Sequence, residues 1–131
     1  MYLGISCRRR FLELRSGFQI GFRFFQVRLH LNESQSLIAI LLDPSARADE
    51  RDDAAMDLSE FATPAVESAL LAVAIDLHAP AVVRDSCGES LALIWLRLGA
   101  VPEAVLQSLP EPACSAAIAR LRGFGDAARA A

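Results

Sequence analysis

The sequence predicts an all-α protein, built as a short stack of antiparallel helical hairpins. Two observations lead to this prediction. Apolar residues recur at helical spacing along most of the chain, and proline or glycine marks the ends of the periodic segments. In addition, a group of residues recurs 33 positions later in the chain, which is typical of an array of repeated helical units.

Length and composition favour one domain with its own core. The chain has 131 residues, 53% of them apolar, and a mean hydropathy of +0.33, which is well outside the range of disordered proteins. No apolar run approaches the roughly 20 residues that a membrane helix needs. The three cysteines form no CxxC pair and the chain shows no secretory signal pattern, so we expect a cytoplasmic protein.

The segment from Pro80 to Gly99 is predicted to be the central helix. One of its faces is apolar at helical spacing and consists of Val83, Cys87, Leu91, Ile94 and Leu98. Leu93, Trp95 and Leu96 place apolar groups on the other sides. This helix must therefore be covered from more than one direction.

Five further helices are predicted around the central one. Four starts are indicated by Asn32, by Asp43 with Pro44, by Thr63 with Pro64 and by Val101 with Pro102, and the last helix follows the break at Pro110 and Pro112. The second is expected to run to about Phe61, and the third to have Leu77 on its inner face. Gly123 and Gly125 are expected to end the last helix, which leaves residues 126–131 as a frayed tail.

Residues 1–31 are predicted to be an N-terminal arm. Apolar residues alternate from Phe18 to Leu31 with one change of phase, which favours an extended strand, and the segment from Phe11 to Leu14 supplies a partner strand for a hairpin. Two alternatives stay open. The arm is disordered, or it is not native because translation starts at a non-ATG codon between Val27 and Leu31. The helical domain itself is assigned to residues 32–125.

The internal repeat pairs two segments of the helical domain. Arg51, Asp52, Ala54, Leu58 and Phe61 align with Arg84, Asp85, Cys87, Leu91 and Ile94. Residues 111–121 are similar to the first half of a third unit. Alanine-rich helices also produce chance similarity, so an irregular helical bundle is the alternative to a repeat array.

The second unit has the residue pattern Pro, Val-Arg, Ala-Leu and Leu-Gly. It is formed by Pro80, Val83, Arg84, Ala92, Leu93, Leu98 and Gly99. In this pattern the chain resembles the HEAT and HEAT-like repeat family, of the α-solenoid type, over about residues 35–122. The resemblance and the charge imply a non-enzymatic protein-protein interaction module, such as a bacterial adaptor or an immunity protein that blocks a basic toxin.

The same family offers two other functions. Some HEAT-like proteins are lyases or chaperones that attach a tetrapyrrole to cysteine, which would make Cys87 or Cys114 the site. The chain would alternatively be a structural fragment of a longer solenoid. Neither alternative has a motif of its own in this sequence, and no catalytic residue, cofactor or metal site is predicted.

Charge is distributed unevenly along the chain. Residues 1–31 contain six Arg and one Glu, whereas residues 32–131 contain seven Arg and fifteen acidic residues. Because phosphate binding requires clustered basic groups, the body is not expected to bind nucleic acid.

An acidic cluster is the most conspicuous polar feature of the body. Asp49, Asp53, Asp57 and Glu60 are spaced to share one side of a helix. We predict that this side binds a partner protein with a basic surface. A solvated helix face is the alternative, and a divalent cation is the least favoured because the glycine-containing loop of a calcium site is missing.

Overall fold

The protein is all-helical, as the sequence predicts. The structure is a computed structural model that describes the backbone of residues 21–130 and the side chains of residues 32–130. Within this part of the chain there are six helices and no strand. The helices are α1 (Gly21–Leu42), α2 (Ala48–Leu58), α3 (Pro64–Ala74), α4 (Ala81–Leu98), α5 (Glu103–Ser108) and α6 (Ala113–Ala130).

Helix α1 begins earlier than expected. Residues 21–31, predicted to belong to an extended strand, are helical. The alternation changes phase after four apolar positions, so it favours a strand only weakly. Extending a helix that already exists from Asn32 onward adds one hydrogen bond for each residue fixed. The partner strand expected from Phe11 to Leu14 lies outside the described residues. Contacts divide the chain into residues 1–36 and residues 37–131, and the core described below belongs to the second unit.

A turn, and not a helix, follows Asp43. The carboxylate of Asp43 accepts hydrogen bonds from the backbone N–H of Ser45 at 2.9 Å and from its hydroxyl at 2.6 Å. The hydroxyl contact is the main reason why the pKa of Asp43 lies below its usual value. This turn delays the start of α2 to Ala48, four residues after Pro44, and α2 ends at Leu58 and not near Phe61.

Helix α3 begins where the sequence predicts and ends earlier. The Thr63 hydroxyl accepts a hydrogen bond from the backbone N–H of Val66 at 3.3 Å, and Pro64 occupies the first helical position. Leu70 is fully buried, as expected. The prediction that Leu77 faces inward is wrong. Leu77 lies three residues beyond the end of α3 and is 70% exposed.

Helix α4 is the centre of the fold and matches its predicted bounds. Pro80 precedes it, and Gly99 ends it with a φ of +74°, a left-handed conformation in which glycine is favoured. Four of the five residues predicted on its inner face are fully buried: Val83, Cys87, Leu91 and Ile94. Leu98 is the exception at 55% exposure, because it is the last helical residue.

Three helices cover α4. It packs most extensively against α6 and also against α2 and α3. Trp95 shows the result, since it lies about 80° around the helix from Cys87 and is still only 1% exposed. Coverage from more than one direction, predicted from the apolar residues all around this helix, is confirmed.

Helix α6 continues through both glycines that were expected to end it. It extends to Ala130, so residues 126–130, predicted as a frayed tail, prolong the helix. Neither Gly123 nor Gly125 adopts the positive φ of a helix end. A glycine inside a helix costs only about 0.5–1 kcal/mol, which weakens the helix without stopping it. Every residue from Arg122 to Ala130 is exposed.

The start of α6 lies directly against α4. The backbone of Ala113, the first residue of α6, occupies the space that a Cβ atom of residue 88 would need. Gly88 is buried and Ala113 is fully buried. Glycine at position 88 is therefore required for the approach of these two helices.

We expect Gly88→Ala to lower the free energy of unfolding by about 1–3 kcal/mol, because the added methyl group overlaps backbone atoms that cannot rotate away. Urea unfolding followed by circular dichroism measures this change. Gly123→Ala is the control, since Gly123 is helical and has no atom within 4 Å of the added Cβ. It should raise stability by about 0.5–1 kcal/mol. Equal effects of the two substitutions would contradict the close contact at Gly88.

Candidate functional site

The acidic cluster lies on the outer face of α2. This helix buries Arg51, Ala54, Ala55 and Leu58 on one face. Asp49, Asp53 and Asp57 follow one another at intervals of four residues on the opposite face, at 100° of rotation per residue. These three side chains are half-buried, and Glu60, two residues after the end of the helix, is exposed.

The four acidic residues differ in their polar contacts. Asp49 forms an ion pair with Arg47 at 2.6 Å, and the Arg47 side chain is 74% exposed, so the pair contributes little to stability. Asp57 and Glu60 are each engaged in an interaction. Asp53 has no hydrogen bond or ion pair within the part of the chain that the structure describes. The structure thus places Asp49, Asp53 and Asp57 on one face of α2, and of the four predicted residues only Asp53 makes no hydrogen bond or ion pair within the described part of the chain.

Two arginines occupy equivalent positions in the two predicted repeat units. Arg51 is the fourth residue of α2 and Arg84 the fourth residue of α4. The Nε atom of Arg51 donates to the carbonyl of Leu41 at 3.0 Å, and that of Arg84 donates to the carbonyl of Ala79 at 3.1 Å. Each arginine therefore fastens the start of its helix to the segment before it.

Buried polar contacts join α4 to α2 and α3. The Ser86 hydroxyl donates to the Asp52 carboxylate at 2.5 Å, and the Ser90 hydroxyl donates to the carbonyl of Ala55 at 2.8 Å. The indole N–H of Trp95 donates to a carboxylate oxygen of Glu67, in the first turn of α3, at 2.8 Å. Sequence reasoning missed these contacts. The spacing of Ser86 and Ser90, four residues apart on the central helix, was the available signal.

A groove lies between α4 and α6 and was also not predicted. Its volume is about 700 Å³. Asp85 and Glu89 line it from α4, and Glu89 forms an ion pair with Arg120 of α6. The remaining lining comes from α6, mostly from small side chains: Ser115, Ala116, Ala119, Gly123, Phe124 and Ala127. Phe124, 50% exposed, is the large apolar residue there.

A second cavity, of about 430 Å³, lies beside the turns that precede α2 and α4. Its polar lining residues are Arg51, Asp76 and His78. His78 is exposed, and its backbone N–H donates to the Asp76 carboxylate at 2.9 Å. Arg51 is only 6% exposed and is already bonded to Leu41. These polar groups therefore stabilise the turn at Asp76 and the start of α2.

The two described cysteines are free thiols in different surroundings. Cys87 is fully buried, and its burial raises the pKa of the thiol to about 12. Cys114 is half-buried, with its sulfur 3.6 Å from the carbonyl of Leu106. A thiol that stays protonated and buried is a poor nucleophile.

Neither a metal centre nor a membrane span was found among the described residues. Between residues 32 and 130, no three side chains of His, Cys, Asp or Glu lie close enough together to hold a metal ion. None of the helices within residues 21–130 combines the length and the apolar character needed to cross a membrane.

Comparison with known proteins gives no relative. The chain matches no protein-family model and no curated protein, and no solved structure is significantly similar to it.

We expect Cys87 to react with a thiol reagent only when the protein opens. The variant Cys7→Ser/Cys114→Ser leaves Cys87 as the single thiol, and its reaction with a disulfide reagent is followed at pH 8 with increasing urea. The rate should rise with the unfolded fraction. Rapid labelling of the native protein would contradict this prediction.

The stability of the protein should also depend on the protonation of Cys87. Because the pKa of the thiol is raised from 9.0 to about 12 on folding, the contribution of this thiol to the free energy of unfolding should be lost as the pH rises across that range.

Proposed function

We propose that the protein is a non-enzymatic protein-protein interaction module of HEAT-like architecture. In this proposal the outer face of α2, with Asp49, Asp53, Asp57 and Glu60, binds a basic surface of a partner protein. An adaptor or an immunity-type protein would use such a surface.

The arrangement of α2 is the observation on which the proposal depends. Its buried face packs against α4, and three carboxylates at intervals of four residues lie on the opposite side. Like charges placed in this way repel one another and weaken the helix slightly. A basic partner surface would remove that repulsion and turn it into a favourable interaction.

The charge of the whole body supports a basic partner. Residues 32–131 contain eight more acidic than basic residues. A field of one sign attracts a partner of opposite charge before contact, which raises the association rate. The same charge disfavours nucleic acid.

The repeat-like features support the architecture. Arg51 and Arg84 make equivalent bonds at equivalent helix positions. Leu58 and Leu91, which the repeat also pairs, are both fully buried as the eleventh residues of their helices. Phe61 and Ile94 depart from the pattern, because Phe61 lies beyond the end of α2.

The proposal is tested with neutral substitutions at Asp53, which has no partner within residues 32–130, and at Asp49, whose pair with the exposed Arg47 contributes little to stability. A partner is first isolated by affinity capture from the cells that produce the protein. For Asp49→Asn/Asp53→Asn we expect about three- to tenfold weaker binding, mostly through slower association, and the difference should shrink at about 0.5 M salt. Surface plasmon resonance gives both rates.

The control removes the same charge elsewhere. Glu103 and Asp126 are exposed acidic residues on α5 and α6, and Glu103→Gln/Asp126→Asn should leave the affinity nearly unchanged. Equal weakening by both double variants would show that net charge and not the α2 face is responsible. Unchanged affinity in the Asp49→Asn/Asp53→Asn protein would contradict the proposal.

A further inference from the structure

The groove between α4 and α6 is a second surface with the shape of a docking site. Ala116, Ala119, Gly123 and Ala127 form its floor along α6. From Ala116 to Ala127 the floor extends over about 16 Å, at 1.5 Å per residue, which corresponds to about three turns of helix. Such small side chains allow another helix to approach to the short end of the usual 8–10 Å between axes.

An apolar side chain is exposed at this floor. Phe124 is 50% exposed and lines the groove beside Gly123. The apolar positions of α6 recur as Ala117, Leu121 and Phe124, and only the first of these is fully buried. The apolar side of α6 therefore continues past the part that packs in the core.

Asp85 provides the charge that specifies a partner. Its carboxylate lines the groove, is half-buried and has no hydrogen bond or ion pair within residues 32–130. The other acidic residue of the wall, Glu89, is already paired with Arg120. A charged hydrogen bond made to this half-buried carboxylate is stronger than one made at an open surface.

Comparison of the two repeat units shows what is missing at Asp85. Asp52, its counterpart in α2, accepts a hydrogen bond from Ser86 of α4. Within residues 32–130, no side chain of α6 bonds to Asp85, because Arg120, the basic residue of α6 in the groove, pairs with Glu89 instead. The contact that joins α2 to α4 thus has no equivalent between α4 and α6.

We propose that this groove binds an amphipathic α-helix of a partner protein. The apolar face of that helix packs on Ala119, Gly123 and Phe124, and one of its Lys or Arg side chains pairs with Asp85. This surface is separate from the acidic face of α2, so the proposal goes beyond the function proposed above and does not depend on it.

Charge decides between a partner helix and a second copy of this chain. A second copy has a formal net charge of −3 over the whole chain, so it would bring more acidic than basic residues to a groove whose unpaired charge, that of Asp85, is also acidic. Like charges at an interface are unfavourable, whereas a basic helix is complementary. The groove is therefore more complementary to a basic amphipathic helix than to a second copy of this chain.

The experiment selects binders from a library of helical peptides displayed on phage, with the full chain as target. We expect the selected peptides to have apolar residues at helical spacing and at least one Lys or Arg. A synthetic peptide of the selected sequence, labelled with a fluorophore, is then titrated against variants by fluorescence anisotropy.

The key variant is Ala119→Trp, which fills the floor of the groove and should weaken peptide binding at least about tenfold. Ala104→Trp is its matched control, since Ala104 is an exposed helical alanine on α5 outside the groove, and binding should be unchanged. Asp85→Asn should weaken binding about three- to tenfold, less so at high salt. Circular dichroism verifies that each variant keeps its helix content.

Three results would overturn the proposal. The selected peptides bind the Ala119→Trp and Ala104→Trp variants equally well, or they lack basic residues and are insensitive to Asp85→Asn. The third is self-association of the free chain, measured by light scattering, that Ala119→Trp abolishes, because a second copy would then occupy the groove. The Asp49→Asn/Asp53→Asn protein should bind the peptide normally, which separates this test from that of the α2 surface.

Discussion

The fold depends on the burial of one helix on several sides at once. Helix α4 has apolar residues around most of its circumference in its second half, and four of its large side chains, Leu91, Ile94, Trp95 and Val83, are at most 1% exposed. Full burial of each side chain of this kind contributes about 1.5–3 kcal/mol. A single neighbouring helix cannot cover them. Helices α2, α3 and α6 all contact α4, which makes it the common element of the core.

Polar contacts fix how the neighbours are placed on this apolar centre. Apolar burial has no direction, so it alone does not define the position of one helix along another. The bonds from Ser86 to Asp52 and from Trp95 to Glu67 do so for α2 and α3. On the α6 side the ion pair of Glu89 with Arg120 and the close contact of Gly88 with Ala113 do so. Because Arg120 pairs with Glu89, the carboxylate of Asp85 in the same groove has no partner within residues 32–130.

The sequence predicted the helices whose ends are determined locally. Thr63 with Pro64 and Gly99 are end signals that act within one turn, and the structure has them in those roles. The wrong predictions concern signals that compete with their surroundings. The turn at Asp43 depends on the side chain of Ser45, and the glycines of α6 interrupt a helix only when they adopt a positive φ. Neither outcome is visible in residue spacing.

Less of the candidate site could be predicted. The spacing of the acidic residues on α2 predicts their common face, but it does not distinguish the open Asp53 from Asp49, which is paired with Arg47. The groove could not be predicted from the sequence, because that would require knowing which helices pack against each other. Asp85 was identified as a repeat position, yet residue spacing does not show that Arg120 of α6 pairs with Glu89 and leaves Asp85 without a partner.

Hydrogen exchange of the native protein tests the central role of α4 most directly. The account predicts that the amides from Leu91 to Trp95 are the slowest to exchange and that they exchange only through global unfolding, with the same free energy as urea denaturation gives. The amides from Arg122 to Ala130 should exchange through local opening at much lower free energy. Exchange of the Leu91 to Trp95 amides as fast as that of the end of α6 would contradict the account.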